Sequence, residues 1–162
     1  MPRQNSKSQP KSIALALLAG ALILTLTGCA NGADAPTRMI KQVTDGVEGV
    51  SGDIKAANVL LVAQADGSAV LVATVVNNSQ STDSILSITA NGINGITAPI
   101  ELRSVTPAIF AGDSANQSAN FPALGLAASA HATIEITFAN AAPIKLNALV
   151  RAQDGIYANT NK

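Results

Sequence analysis

The sequence is short of cysteine and of aromatic residues, and both shortages restrict its chemistry. Among 162 residues there is one cysteine, Cys29, and no tryptophan. One cysteine cannot form a disulfide within the chain, and a domain of this size can bury enough surface to fold without one. Sugar platforms and grooves for single-stranded nucleic acid depend on aromatic stacking, so the composition argues against both. The core must therefore be mainly aliphatic, since the aromatic residues are only Phe110, Phe121, Phe138 and Tyr157.

Negative charge is missing from the beginning of the chain. No acidic residue precedes Asp34, whereas Arg3, Lys7 and Lys11 lie in the first eleven residues. Ten acidic and seven basic residues follow Cys29, so this part of the chain has a formal charge of −3. Binding to nucleic acid requires clustered lysine or arginine that displaces counterions from phosphates. We therefore expect no nucleic-acid partner.

A short apolar run follows the basic residues. Ile13–Leu26 contains 14 residues, and as a helix it would span about 21 Å, less than the ~30 Å hydrocarbon core of a membrane. A basic flank before a short apolar run is typical of a signal peptide. The run ends in Leu26-Thr27-Gly28-Cys29, which resembles the bacterial lipobox in its leucine, its small residues and its cysteine.

The lipobox resemblance implies cleavage between Gly28 and Cys29 and attachment of lipid, including acyl chains such as palmitate, to the Cys29 thiol. Two or more acyl chains suffice for stable attachment, whereas one chain anchors only marginally. We therefore predict a protein held by Cys29 at the extracytoplasmic face of a cell membrane. The alternatives are a secretory signal with a chance cysteine and an uncleaved anchor.

The composition divides the chain into four segments. Residues 1–28 form the predicted signal peptide, and residues 29–52, which are rich in glycine, alanine, aspartate and threonine, form a predicted flexible tether. Residues 53–157 contain β-branched runs and turn signals and form the predicted domain. Residues 158–162 are polar and form a predicted loose tail.

Alternating and β-branched runs predict six or seven strands in this domain. The Asp66-Gly67 dipeptide between the first two runs is typical of a hairpin turn. Between residues 106 and 130, prolines and glycines predict a long connection with one edge strand. The clearest strands are Ile54–Gln64, Ser68–Asn77, Ile85–Ala90, Ile100–Val105, Ala132–Phe138 and Leu146–Ala152.

This pattern predicts an all-β fold. Several short strands, with no amphipathic helix after Cys29, favour an antiparallel Greek-key β-sandwich of the cupredoxin-like or immunoglobulin-like kind. A small barrel is the main alternative. A βαβ fold would require crossover helices that the pattern does not contain.

A Ser/His/Asp triad would have to use His131, the only histidine in the sequence. A hydrolase would need a nucleophile elbow such as G-x-S-x-G, which the sequence lacks, and Asp113-Ser114 lies in a polar turn. The acidic residues form no EF-hand loop. We therefore predict a protein that is not an enzyme and has no catalytic residues, with His131 an exposed loop residue just before a strand.

The strand pattern resembles a known family. The segments GDIKAANVLLV, SAVLVATVVNNSQSTDSILSIT and KLNALVRAQ, behind a lipobox, are similar to actinobacterial lipoproteins of the LpqE-like group. These belong to or border the periplasmic copper chaperone family, PCu(A)C. The resemblance spans residues 37–157 and implies a cupredoxin-like Greek-key sandwich.

The resemblance also implies copper as a possible ligand. Metal-binding members of that family hold Cu(I) with several methionine and histidine side chains, because Cu(I) prefers polarizable donors. Here the chain after Cys29 offers only Met39 and His131, which lie far apart in sequence. We therefore predict no resident cofactor. The first hypothesis is a membrane-anchored binding or structural domain whose partner is an envelope protein, and the second is a divergent copper-binding lipoprotein using His131 and Met39.

Overall fold

The structure, a computed structural model, describes residues 45–96 and 98–160. The fold is all-β, as predicted, and the described residues contain no α-helix. None of their helical segments is long and apolar enough to cross a membrane. The elements are β1 (Val47–Ser51), β2 (Ile54–Ala63), β3 (Ala69–Asn77), β4 (Asp83–Ala90), β5 (Ile93–Asn94), β6 (Ile100–Leu102), β7 (Ala108–Phe110), β8 (Asn120–Phe121), β9 (His131–Phe138), β10 (Ile144–Ala152) and a 3₁₀ turn, η1 (Gly155–Tyr157).

The β2–β3 hairpin forms as the sequence predicts. Gly67 has φ +80°, the left-handed conformation that glycine adopts at low cost. The Asp66 carboxylate accepts hydrogen bonds from the Ser68 amide and hydroxyl at 3.0 and 2.6 Å. The two strands then pair antiparallel from Ile54 opposite Asn77 to Ala63 opposite Ala69.

β1 corrects the predicted boundary at residue 52, because it lies inside the segment assigned to the tether. It pairs antiparallel with β2 next to a bulge at Asn58, whose φ is +52°. The Asn58 side chain accepts a hydrogen bond from the Gly46 amide at 3.2 Å. A Cβ at Gly46 would collide with the Asn58 backbone. Close approach requires glycine here, and glycine obscures the alternation by which strands are recognised.

The strands form one curled sheet in the order β5-β4-β9-β10-β2-β3-β7. β10 closes one side, because its residues 144–149 pair antiparallel with β9 whereas residues 150–152 pair with β2. The second pairing is parallel. This ladder differs from the other ladders, which are antiparallel as predicted, because a single strand serves both layers here.

The opposite side of the sheet is closed at its two ends. At one end the Asn120 amide donates to the Gly95 carbonyl at 2.7 Å, and a Cβ at Gly95 would collide with the Phe121 ring. At the other end the Val105 amide donates to the Asn77 carbonyl at 2.8 Å. Between these two links, β6 and β7 are separated by a cleft.

The core between the two layers is aliphatic, as the composition predicts. On β3 the odd-numbered residues from Ala69 to Val75 face this core, and on β9 Ile134, Ile136 and Phe138 do so. A second, smaller cluster covers the outer face of the β2–β3 hairpin, where Leu60 and Val62 contact Tyr157. The inward face of β9 agrees with the alternation in its sequence, whereas both faces of β3 are apolar and only the fold decides which of them meets the main core.

The segment 106–130 contains two short strands rather than the predicted one. β7 and β8 both pair antiparallel with β3, at opposite ends of that strand. They contain three and two residues, which is too few for alternation to be recognised. Their positions are decided by the β3 edge, not by their own sequence.

Candidate functional site

The residues predicted for lipid attachment lie outside the described part of the chain. Gly28, Cys29 and Met39 all precede residue 45, where the description begins. Cleavage, lipidation and the Met39 contribution to a metal site therefore remain predictions.

His131 is the first residue of β9 and is exposed. Its backbone pairs with Leu149 of β10, so His131 belongs to the strand and not to the loop before it. Across residues 45–96 and 98–160, no three His, Cys, Asp or Glu side chains are grouped as metal ligands would be. His131 thus offers one imidazole donor at the surface, and further donors would have to come from Met39 or from a partner.

A cleft of about 260 Å³ lies at one end of the fold, between the β1–β2 turn and the loop after β9. Asn77 and Asp83 line it and are both buried. The Asn77 amide donates to the Ser81 and Leu102 carbonyls at 2.7 and 3.0 Å. Its oxygen accepts from the Ser79 amide and hydroxyl at 3.0 and 2.7 Å. The side-chain nitrogen and oxygen of Asn77 are therefore both hydrogen-bonded within the protein, and Asn77 has a structural role.

Asp83 is held in the same way. Its Oδ1 accepts from the Ser84 and Asn140 amides at 2.7 and 3.0 Å, and its Oδ2 accepts from the Ala141 amide at 3.0 Å. Burial by itself would raise the pKa of Asp83, but these bonds and one from the Asn140 side chain outweigh it and hold the pKa below its ordinary value. The carboxylate is charged at neutral pH and joins β4 to the loop after β9.

A larger cleft, of about 510 Å³, lies on the outer face of β3; we call it the outer cleft. Val70 forms part of its lining, and the segment 111–118 and the residues around η1 form its walls. Ile156 lines it and is 86% exposed. Gln117, Ser118 and Asn159 add amide and hydroxyl groups. Asp113 also lines it, so the outer cleft combines aliphatic surface with uncharged polar groups and one carboxylate.

The third cleft, of about 320 Å³, is the gap between β6 and β7; we call it the edge cleft. Ile100 and Ala108 line it from the core side. Glu101 and Arg103 stand at its rim and form an exposed ion pair at 2.9 Å. Beside it, Asn116 bonds to the backbone of β7 through its side chain.

Tyr157 joins the last described segment to the first. Its hydroxyl donates to Asp45 Oδ2 at 3.2 Å, and Arg151 Nε lies 3.5 Å from the same oxygen. Burial raises the pKa of Tyr157, and the nearby Asp45 charge raises it further. The phenol is therefore neutral and a hydrogen-bond donor at physiological pH.

The sequence pattern placed Asn77 at the end of the predicted strand Ser68–Asn77 and Asn116 in the predicted connection 106–130, and it gave neither residue a further role. Their roles as links between chain segments were missed, because an asparagine in a turn carries no sign of its long-range partners. Asn77 bonds to Leu102, 25 positions away, and only the fold brings these residues together.

Comparison with known proteins identifies the fold. No family model and no curated protein matches the sequence. Among solved structures, the apo PCuAC domain from PmoF1 is 20% identical, with a TM-score of 0.53, over 65% of this chain and 99% of that domain. The copper-bound PCuAC domain from PmoF2 is 19% identical, with a TM-score of 0.54, over 65% of this chain and 98% of that domain. The chain therefore has the β-sandwich fold of PCuAC domains.

Proposed function

We propose that this chain is an extracytoplasmic lipoprotein, anchored by lipid on Cys29, whose β-sandwich binds another component of the cell envelope and catalyses no reaction. The observation that carries the proposal is the sequence Leu26-Thr27-Gly28-Cys29 at the end of a basic and then apolar segment. A lipid anchor restricts the domain to a membrane surface, where its partner must also be found.

The described domain supports a binding role through its surface. The outer cleft and the edge cleft adjoin each other at Gln117, and both are open to solvent. The cleft between the β1–β2 turn and the loop after β9 is different. The side chains of Asn77 and Asp83 that line it already form hydrogen bonds within the protein. We therefore assign binding to the two adjoining clefts.

The second candidate function is copper binding. It is favoured by the fold shared with a PCuAC domain described as copper-bound. In this chain the soft donors after the lipidated cysteine are His131 and Met39, which provide fewer ligands than Cu(I) usually takes in proteins of that kind. Copper would then be cargo held jointly with a partner.

The anchor is tested by comparing the unmodified chain with Cys29→Ser in cells given radiolabelled palmitate. The unmodified protein should carry label and fractionate with membranes, and the variant should lose the label. Met39→Leu, ten residues further on, is the matched control and should be labelled normally. An unmodified chain that carries no label would refute lipid attachment.

Copper binding is tested by titrating Cu(I), in competition with a chromophoric chelator, into the purified full-length protein in detergent. Sub-micromolar binding that both His131→Ala and Met39→Leu weaken would support it. The absence of sub-micromolar binding in the unmodified protein would exclude the copper function while leaving the anchored binding domain unaffected.

A further inference from the structure

The segment after β10 covers part of the outer face of the β2–β3 hairpin. We call residues 154–160 the strap; Tyr157 and Thr160 are its two buried residues, and the other five are exposed. The Tyr157 ring contacts Leu60 and Val62, which are both fully buried. The strap lies outside every strand of the described sheet. Its attachment therefore depends on one ring and on side-chain hydrogen bonds.

Three polar links hold the strap to the rest of the domain. The Tyr157 hydroxyl donates to Asp45 Oδ2 at 3.2 Å. The Thr160 carbonyl accepts from the side chains of Gln64 and Gln153 at 3.2 and 3.0 Å. Water can replace each of these partners at a small net cost in free energy. The strap can therefore separate from the sheet without the loss of any pairing between strands.

A glycine at the start of the strap provides a hinge. Gly155 has φ +53°, and a Cβ at this position would meet nothing within 4 Å. It follows Asp154, which is extended with φ −140°. Residues 144–152 of β10, in contrast, are fixed by pairing with β9 and then with β2. Because glycine changes its dihedral angles at low cost, the strap can turn about Gly155 while the sheet stays intact.

The strap is also one wall of the outer cleft. Three of its residues line the cleft together with Val70 of β3. Val72 lies two residues further along the same face of β3 and packs against the cluster of Leu60, Val62 and Tyr157. We call Leu60, Val62 and Val72 the aliphatic strip. Displacement of the strap would therefore join the outer cleft to the aliphatic strip.

We propose that the strap is a lid on the outer cleft, which opens about Gly155 and extends the cleft along the aliphatic strip. The closed form is favoured because the Tyr157 ring and the strip remove apolar surface from water. Asp45 shifts the balance between the two forms, because it holds the Tyr157 hydroxyl in the closed form alone. This inference rests on the proposed binding function and specifies how access to the outer cleft is regulated.

Thiol labelling measures the opening in the full-length protein in detergent. In a Cys29→Ser background an introduced cysteine is the only thiol. Val62→Cys, beneath the strap, reports opening, whereas Val59→Cys, which is equally buried but in the main core, reports global unfolding. With an excess of a chromogenic disulfide reagent, Val62→Cys should react at least about tenfold faster, because local opening requires less free energy than global unfolding.

Two further substitutions separate opening from global unfolding. Tyr157→Phe removes the bond to Asp45 and should raise the Val62→Cys rate about fivefold. Asn77→Ala, at the far end of β3, weakens the fold without contact to the strap. It should raise the Val59→Cys rate at least about tenfold and leave the Val62→Cys rate unchanged. If Asn77→Ala does not fold, urea replaces it, since urea should accelerate Val59→Cys steeply and Val62→Cys only slightly.

Equal rates for Val62→Cys and Val59→Cys, or an equal increase of both rates with Asn77→Ala or urea, would overturn the proposal. The strap would then leave only when the whole domain unfolds. An unchanged Val62→Cys rate with Tyr157→Phe would refute the role of Asp45. Neither result would refute the proposed binding function, because the outer cleft is open to solvent with the strap in place.

Discussion

At the scale of single residues, buried polar side chains hold the loops of this fold together. Asn77 is 1% exposed and makes four hydrogen bonds to two chain segments. Asp83 is bonded by three backbone amides. Buried polar groups stabilise a fold only when their partners are complete, and removal of one group leaves the others unsatisfied. These residues should therefore be sensitive to substitution although they are neither apolar nor catalytic.

Asn77→Ala should lower the free energy of unfolding by about 3 kcal/mol, since it leaves the buried Leu102 carbonyl without its Asn77 donor and frees the Ser79 turn. Urea unfolding followed by circular dichroism measures this. The neighbouring Asn78→Ala is the control, because Asn78 is exposed and its side chain donates only to the Asp53 carbonyl at 3.2 Å. A loss no larger than that of Asn78→Ala would contradict the assigned role.

Asp83 should make stability depend on pH. Because the pKa of Asp83 is lower in the folded protein than in the unfolded chain, its contribution is present above the ordinary value of about 3.9 and is lost as the pH falls below it. Asp83→Asn should therefore be less stable than the unmodified protein at pH 7, with a difference that narrows towards pH 2. A difference that stays constant across urea titrations at both pH values would count against this.

At the scale of elements, β1 depends on glycines that make it hard to recognise as a strand from the sequence. Gly46 and Gly49 lie where side chains would collide, with the Asn58 backbone and with the Ile144 side chain respectively. The strand is therefore defined by contacts to β2 and β10 instead of by its own alternation. Its ion pair between Glu48 and Lys55, at 3.0 Å, is exposed and contributes little.

Gly46→Ala should destabilise the protein by about 1–3 kcal/mol, because the new methyl group forces β1 away from the bulge at Asn58. Val50→Ala, on β1 itself, is the control, since Val50 is 66% exposed and its truncation should change stability by less than about 0.5 kcal/mol. Thermal unfolding of both variants provides the comparison. Equal melting temperatures would show that β1 tolerates the methyl group.

At the scale of the whole molecule, long-range links turn the strands into a closed sandwich. β10 belongs to both layers, and the Gly95–Asn120 and Asn77–Val105 hydrogen bonds close the other side. Tyr157 connects the two ends of the described chain by bonding to Asp45 while it covers Leu60 and Val62. The carbonyl of Thr160, in the segment predicted as a tail, accepts from the side chains of Gln64 and Gln153.

Two substitutions separate the roles of Tyr157. Tyr157→Phe should cost about 1 kcal/mol, the value of one partly buried hydrogen bond. Tyr157→Ala should cost about 3–4 kcal/mol, because it also uncovers Leu60 and Val62. Urea unfolding of both variants measures the difference. Similar losses for the two would mean that the hydroxyl, and not the ring, provides the stabilisation.

The sequence by itself determined the features that depend on local pattern. Alternating and β-branched runs identified the main strands, the Asp66-Gly67 turn identified the hairpin, and the all-β class followed. It also provided the lipobox, on which the proposed location depends. Each of these features depends on only a few consecutive residues, because turn geometry and side-chain direction are set by neighbours in the chain.

Only the tertiary structure decided the features that join distant segments. β1, β7 and β8 are strands because β2 and β3 offer them edges, and β10 changes layers because β2 runs parallel beside its end. Asn77 and Asn116 look alike in sequence, yet one closes the fold and the other covers a strand edge. The physical reason is that a hydrogen-bond donor or acceptor requires a partner, but the sequence around it does not show which group that partner is. Only the folded chain brings the two groups together.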